Sequence, residues 1–225
     1  MSEAPPDTPS SDRRTQAERT ALSDERMLDA AVDLIVNDGP TGMTLKAVGE
    51  KAGYSRGLAS YRFGNKAGLF AFVVRSIGEK WLTELRSAVE TRCGLEAIAA
   101  ALDAHYQFIT RGDHDILAFY TLWFDSIGPD PELKQVIANI HERRRRDVAD
   151  WIGTAQQLGD LDNEIDPDDA ANQFCAAIIG IVYQWLVTPE DLNSIRDLHD
   201  ALKQQMQQLL HPNPTATPKL ASVGA

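Results

Sequence analysis

The residues best suited to binding chemistry lie between Gly39 and Arg75, where Lys46, Lys51, Arg56, Arg62, Lys66 and Arg75 face a single acid, Glu50. That is a local charge of +5 on a chain whose formal total is −11, so the remainder holds −16. A small basic island on an acidic body is the footprint of a local polyanion-binding surface. The spacing inside the island sharpens this reading. Thr44 is placed to cap a short helix whose inner face is Leu45, Val48 and Ala52. Gly53 suits the left-handed position that ends it, and Ser55 caps a second helix two residues later. Helix, three-residue turn containing glycine, helix is the helix-turn-helix pattern, which presents the N-terminal side chains of its second helix to a DNA major groove.

The elements that must position this segment are all helical. Little of the sequence alternates with period two, and much of it repeats at helical spacing, so the fold class is all-α. Prolines mark the borders: Pro5, Pro6 and Pro9 lie in one polar tail, Pro212, Pro214 and Pro218 in another, and both tails, 1–20 and 212–225, are expected to be disordered. The first helix is expected to open at Ser23, with Asp24 and Glu25 beside its positive end, and to stop at Asn37-Asp38-Gly39-Pro40. Met27, Ala30, Ala31, Leu34 and Ile35 give it one buried stripe. Longer patterns follow over about 67–92, 95–111, 114–127, 132–158, 167–187 and 191–210, for about nine helices in all. The helix after Asp166-Pro167 is apolar on nearly every side, through Ala170, Phe174, Ile178 and Val182 and through Ala177, Ile181 and Trp185. The last carries Ile195, Leu198, Leu202, Met206 and Leu209. Such a pair at a chain end is expected to pack against a second copy, the alternative being an ordinary central core.

Composition and motif content exclude other classes. With 43% hydrophobic and 24% charged residues the chain is not wholly disordered. Its longest apolar stretch, Phe174 to Tyr183, is about half of a membrane crossing, and the N-terminus lacks a signal-peptide apolar region, so a cytoplasmic protein without membrane association is expected. Cys93 and Cys175 form neither a disulfide framework nor a metal site, and the histidines at 105, 114, 141, 199 and 211 lack metal-ligand spacing; neither metal nor cofactor is expected. There is no nucleophile elbow, phosphate-cradling glycine loop or HExxH pattern, so no enzyme is expected. The run Arg143–Arg146, flanked by Glu142, Asp147 and Asp150, reads most simply as a solvated, salt-bridged helix face, with a second DNA contact or an anionic-ligand anchor as the alternative.

The stretch TLKAVGEKAGYSRGLASYRFGNKAGLF resembles the DNA-binding segment of TetR-family transcriptional regulators, the match covering about residues 24–72. A weaker likeness is the Gly-x-Leu-Asp…Asp-Pro segment, Gly159 to Pro167. The resemblance implies a helix-turn-helix DNA-binding domain over 21–72 and a ligand-binding and dimerisation bundle over 73–211. It implies phosphate contacts from Thr44 and Lys66 and base-edge contacts from Arg56 and Gly57, with Arg56 offering a bidentate contact to guanine. Leu58 is expected to face thymine methyls, Tyr61 and Arg62 to touch the DNA backbone, and Ala59 and Phe63 to point inward. Ser60 stands where the family has the first of two aromatics, a departure that implies a different sequence preference.

The family's usual mechanism implies a small-molecule effector, apolar or amphipathic, acting on a homodimer bound to a palindromic operator. The expected pocket residues are the aromatics of the middle helices, Phe108, Tyr120, Trp123 and Phe124, with Phe174, Tyr106, Phe119 and Tyr183 beside them and His105 and Asp125 as polar anchors. The alternative at each is plain core packing. By family habit the regulator is a repressor; an activator or a co-repressor-dependent regulator has the same sequence signature. A helical interaction module without DNA contact would explain the apolar end helices, but not the basic island or the capped turn.

Overall fold

The computed structural model describes residues 15–111, 114–128, 131–162 and 164–211. Among the described residues the chain forms nine helices and no sheet: α1 (Gln16–Gly42), α2 (Leu45–Lys51), α3 (Arg56–Phe63), α4 (Lys66–Val89), α5 (Gly94–Thr110), α6 (His114–Asp125), α7 (Pro131–Gln157), α8 (Pro167–Val187) and α9 (Leu192–Leu209). The all-α class and the borders from α4 onward agree with the helical periodicity to within a few residues.

The start of α1 does not. Thr15 caps it in a reciprocal pair: the Thr15 hydroxyl accepts the Glu18 amide at 3.2 Å and the Glu18 carboxylate accepts the Thr15 amide at 2.6 Å. This capping box satisfies two free donors at once, which Ser23 alone cannot do. Ser23 is instead buried inside the helix, its hydroxyl donating to the Thr20 carbonyl at 2.8 Å. Residues 15–20 therefore belong to the fold, while 1–14 and 212–225, the rest of the two expected tails, lie outside the described residues. The expected stop holds at Gly39, whose φ of 72° breaks the helix before a last turn begins at Pro40.

One continuous core runs from Met27 in α1 to Leu210 beyond α9. Helix α4 contacts α1 and α3 as well as α5, α6 and α7, so the expected domain border at 72/73 falls inside a single helix. Its buried face, Leu69, Phe70, Val73, Val74, Ile77 and Trp81, is shared along that length. Helix α1 also packs on α6, and the Lys80–Asp115 pair at 3.1 Å ties α4 to α6. The helix-turn-helix is thus joined to the rest through two helices rather than a linker.

Helix α8, capped by Asp166 with Pro167 in its first turn, packs on α7 and α9. By length and composition it could cross a membrane, yet Ala170, Phe174, Ile178, Ile181, Val182 and Trp185 face the core. It is not buried on every side within one chain: Tyr183 is 59% and Val187 62% exposed.

Candidate DNA interface and internal cavity

Helices α2 and α3 are set by local chemistry. The Thr44 hydroxyl accepts the Ala47 amide at 3.1 Å and the Ser55 hydroxyl accepts the Leu58 amide at 3.2 Å, so each short helix has its expected cap. Gly53 holds φ at 77°, and the next amide, Tyr54, donates to the Gly49 carbonyl at 2.8 Å, closing the turn. Gly49 supplies a condition that the sequence reading missed. A Cβ there would lie 3.1 Å from the Ser55 carbonyl oxygen and 3.2 Å from its carbon, so the start of α3 sits directly on α2. A small residue facing a turn in the middle of a short helix was the available signal.

This packing gives α3 two faces. Ala59 is fully buried, and Phe63 turns inward to meet Phe72 with ring centroids 4.8 Å apart. Arg56, Gly57 and Tyr61 are exposed, Tyr61 at 86%. Arg56 makes no ion pair or hydrogen bond among the described residues, so its guanidinium is available for a bidentate contact. Thr44 and Lys66 are exposed at the starts of α2 and α4, the Lys66 ammonium lying 3.4 Å from the Thr41 carbonyl and over the Phe70 ring. Two residues depart from the outward placement expected of them. Leu58 is half-buried against the core, because its position on α3 leans toward the packed face. Arg62 is half-buried and paired with Asp24, where it fastens α3 to α1 rather than standing free for phosphate. Ser60 is half-buried and its carbonyl accepts the Gly64 amide.

A second site lies inside the helical bundle. A cavity of about 280 Å³, at the small end of ligand pockets, is walled by α4, α5, α6, α7 and α8. Of the expected lining, His105, Phe119 and Phe174 border it. The others do not. Phe108 stacks on Trp81 at 4.4 Å, Tyr120 and Trp123 are core, and Phe124 lies against Tyr183 at 6.1 Å. Tyr106 carries the Arg196 guanidinium over its ring, and Asp125 is exposed. Helical spacing identifies buried residues but not which of them border a void. The walls that sequence reading missed are Trp81, Trp151 and Cys175, and the polar groups Arg75, Glu79, His141 and Asp147; Arg143 and Arg144, whose run has an anionic-ligand anchor as its alternative reading, line the cavity too.

The arginine run divides in two. Arg145 and Arg146 pair with Glu142 at 3.2 and 3.1 Å on the solvent side, as expected of the run. Arg143 and Arg144 border the cavity instead. Successive residues turn by about 100°, so four consecutive arginines cannot share one face.

Behind the cavity wall lies a directional hydrogen-bond chain. His199 Nδ1 is 2.7 Å from the Ile195 carbonyl and must donate to it, leaving Nε2 as an acceptor. His105 Nδ1, 2.9 Å away, therefore donates to His199, and His105 Nε2 accepts the Tyr120 hydroxyl proton at 3.0 Å. Both histidines are neutral in this arrangement. Burial holds His105 well below the ordinary histidine value, with His199 and Arg144 acting in the same direction, and burial lowers His199 also. Burial raises the Tyr120 phenol, which keeps its proton for His105. The chain connects the cavity wall on α5 to α9.

Comparison with known proteins accords with this architecture. Residues 27–73 match the family of bacterial regulatory proteins, tetR family, and residues 113–211 match the C-terminal region of BetI-type transcriptional repressors. The HTH-type transcriptional regulator CymR of Pseudomonas putida is 30% identical over 150 residues, 65% of this chain and 72% of that protein. The chain belongs to the TetR family of transcriptional regulators, which are DNA-binding proteins and not enzymes. Solved structures share the fold. One is a TetR-family regulator from Rhodococcus sp., with TM-score 0.70, 20% identity, and coverage of 84% of this chain and 99% of that one. Another is the complex of SmeT, the Stenotrophomonas maltophilia efflux-pump repressor, with triclosan, with TM-score 0.69, 20% identity and coverage of 88% and 99%. A third is a regulator from Saccharomonospora viridis in complex with choline, with TM-score 0.69, 17% identity and coverage of 84% and 98%.

Proposed function

We propose that this regulator is a cytoplasmic repressor that binds a palindromic operator as a homodimer and is released by a small apolar or amphipathic effector. The observation that carries the DNA half of this reading is the exposed outer face of α3, with Arg56, Gly57 and Tyr61 free above a buried Ala59. Arg56 is assigned to a base edge and Thr44 and Lys66 to phosphates, where the start of α4 adds its amide dipoles. Residues 21–72 form the reading unit and residues 73–211 the effector and dimer unit, with α4 common to both.

The dimer surface is assigned to α8 and α9, whose outer faces include the exposed Tyr183, Val187 and Leu192. Two-fold symmetry then presents two copies of α3 to successive major grooves, about 34–36 Å apart or at a comparable separation. The internal cavity receives the effector. Neighbours of the same fold in complex with triclosan and with choline support a small ligand within this architecture. An effector can move the heads only through unequal affinity for their two spacings, and α4 and α1, which join cavity wall and reader, are the path assigned to that movement.

The test is DNA binding by fluorescence anisotropy across a salt series, with light scattering for the oligomer. Arg56→Ala loses preference for the operator, whereas Lys66→Ala weakens every duplex and flattens the salt dependence. A monomer at micromolar concentration, or unchanged binding in both variants, overturns the reading.

A further inference from the structure

Three cations and two acids line the cavity, Arg75, Arg143 and Arg144 against Glu79 and Asp147, which leaves one positive charge in excess. Arg75 and Glu79 are exposed residues on α4 at its edge. Arg143 offsets Asp147, whose carboxyl is raised by burial and drawn back down by Arg143 and Arg86. His105 and His141 are both pushed below the ordinary histidine value, chiefly by burial, and add no charge near neutral pH. Arg144 remains. It is half-buried, and its guanidinium lies 4.8 Å from the centre of the Trp123 ring and beside the Tyr120 hydroxyl. Neither of those groups is negative, and Arg144 forms no ion pair among the described residues, although Glu142 takes the next two arginines of the run.

A guanidinium withdrawn from water without a counter-ion is costly, and the groups that relieve the cost most are carboxylates, which its planar fork binds through two parallel hydrogen bonds. The rest of the wall is apolar, with Trp81, Phe119, Trp151, Phe174 and Ile178 facing the void. We infer that the effector is a small amphipathic monoanion, a hydrophobic carboxylate whose head group lies on Arg144 and whose body fills the aromatic-lined cavity. This rests on the effector reading above and narrows it to one charge class. Arg144 also adjoins Tyr120, the first member of the chain that ends on α9, so an anion on Arg144 meets the same network that reaches the assigned dimer helix.

The test uses two ligand series with constant bodies and varied charge: octanoate, octan-1-ol and octylammonium, and 3-phenylpropanoate, 3-phenylpropanol and 3-phenylpropylammonium. Calorimetry on the full chain measures affinity, and quenching of Trp81 and Trp151 reports entry to the cavity. In each series the anion binds most tightly. Arg144→Gln, checked for folding by circular dichroism, weakens the anions by roughly 10- to 100-fold, the scale of a charge-assisted hydrogen bond, and leaves the alcohols unchanged. Arg144→Lys recovers part of the anion preference, and Arg146→Gln changes nothing. If an alcohol or an ammonium binds as tightly as its anion, or if the preference survives in Arg144→Gln, the anion assignment falls while the effector cavity stands. If no member of either series binds, while operator binding is intact, both fall together.

Discussion

The Tyr120–His105–His199 chain makes stability depend on pH in a direction that its geometry sets. Each histidine is neutral in the fold because its two nitrogens are committed, one as donor and one as acceptor. Protonating His199 at Nε2 would oppose two N–H groups, and protonating His105 would place a charge in a fully buried site near the Arg144 guanidinium. In the unfolded chain both titrate freely near pH 6.5. The unfolded state therefore binds more protons below that value, so stability is fully present above about pH 6.5 and is lost as pH falls toward the depressed folded values. Each histidine contributes a slope of at most about 1.4 kcal/mol per pH unit between its unfolded and folded values, so the pair together stays below about 2.7 kcal/mol per unit, with the deeply buried His105 contributing over the wider range. Burial raises Asp29 and Asp147, which act with opposite sign at lower pH, so measurements stay above pH 5. Urea unfolding at half-unit steps from pH 7.5 to 5, followed by tryptophan fluorescence, gives the slope. His199→Leu lowers overall stability and reduces the slope. Stability that stays flat or rises from pH 6.5 to 5, or an unchanged slope in His199→Leu, refutes the assigned tautomers.

Three further outcomes follow from other parts of the molecule. Gly49→Leu, with its Cβ confined beside the Ser55 carbonyl, costs on the order of 1–3 kcal/mol by overpacking and displaces α3; anisotropy shows operator affinity lost while circular dichroism keeps its helical signal. Tyr183→Asp places a charge on the exposed face of α8, and light scattering shows dimer converting to monomer, whereas the same change at the exposed Leu158 leaves the dimer intact. Burial pushes the Cys175 thiol up to about 11, so at pH 7.5 it is almost wholly protonated; iodoacetamide labels it slowly, and octanoate in the cavity slows it further, as mass spectrometry of the peptide reads out.

Much of the fold was legible because it rests on local rules. Thr44, Gly53 and Ser55 announce the helix-turn-helix by capping and backbone freedom alone, and the structure places all three accordingly. The start of α1 was misread because Ser23 lies closer to the apolar stripe, while the reciprocal Thr15 and Glu18 pair is a stronger signal set in a polar stretch. The cavity was less legible for a different reason. Periodicity marks Tyr120, Trp123 and Phe174 alike as inward, and only the three-dimensional packing leaves a void beside Phe174 and none at the other two. Arg144 was within reach of sequence reasoning: four consecutive helical residues span most of a turn, so one of the run had to face inward. Arg62 was not, since its partner Asp24 is distant in sequence and meets it only when α3 packs on α1.

On the proposed function, α3 reads a two-fold symmetric DNA site from a dimer. The most direct measurement is selection of bound duplexes from a random pool at about 0.1–0.15 M salt, where nonspecific affinity is suppressed, using wild type and Arg56→Ala in parallel. Wild type enriches a palindrome, and Arg56→Ala loses preference at one symmetric pair of positions within it. A single unrepeated half-site, an identical motif from both proteins, or no enrichment with or without added cell extract contradicts this reading.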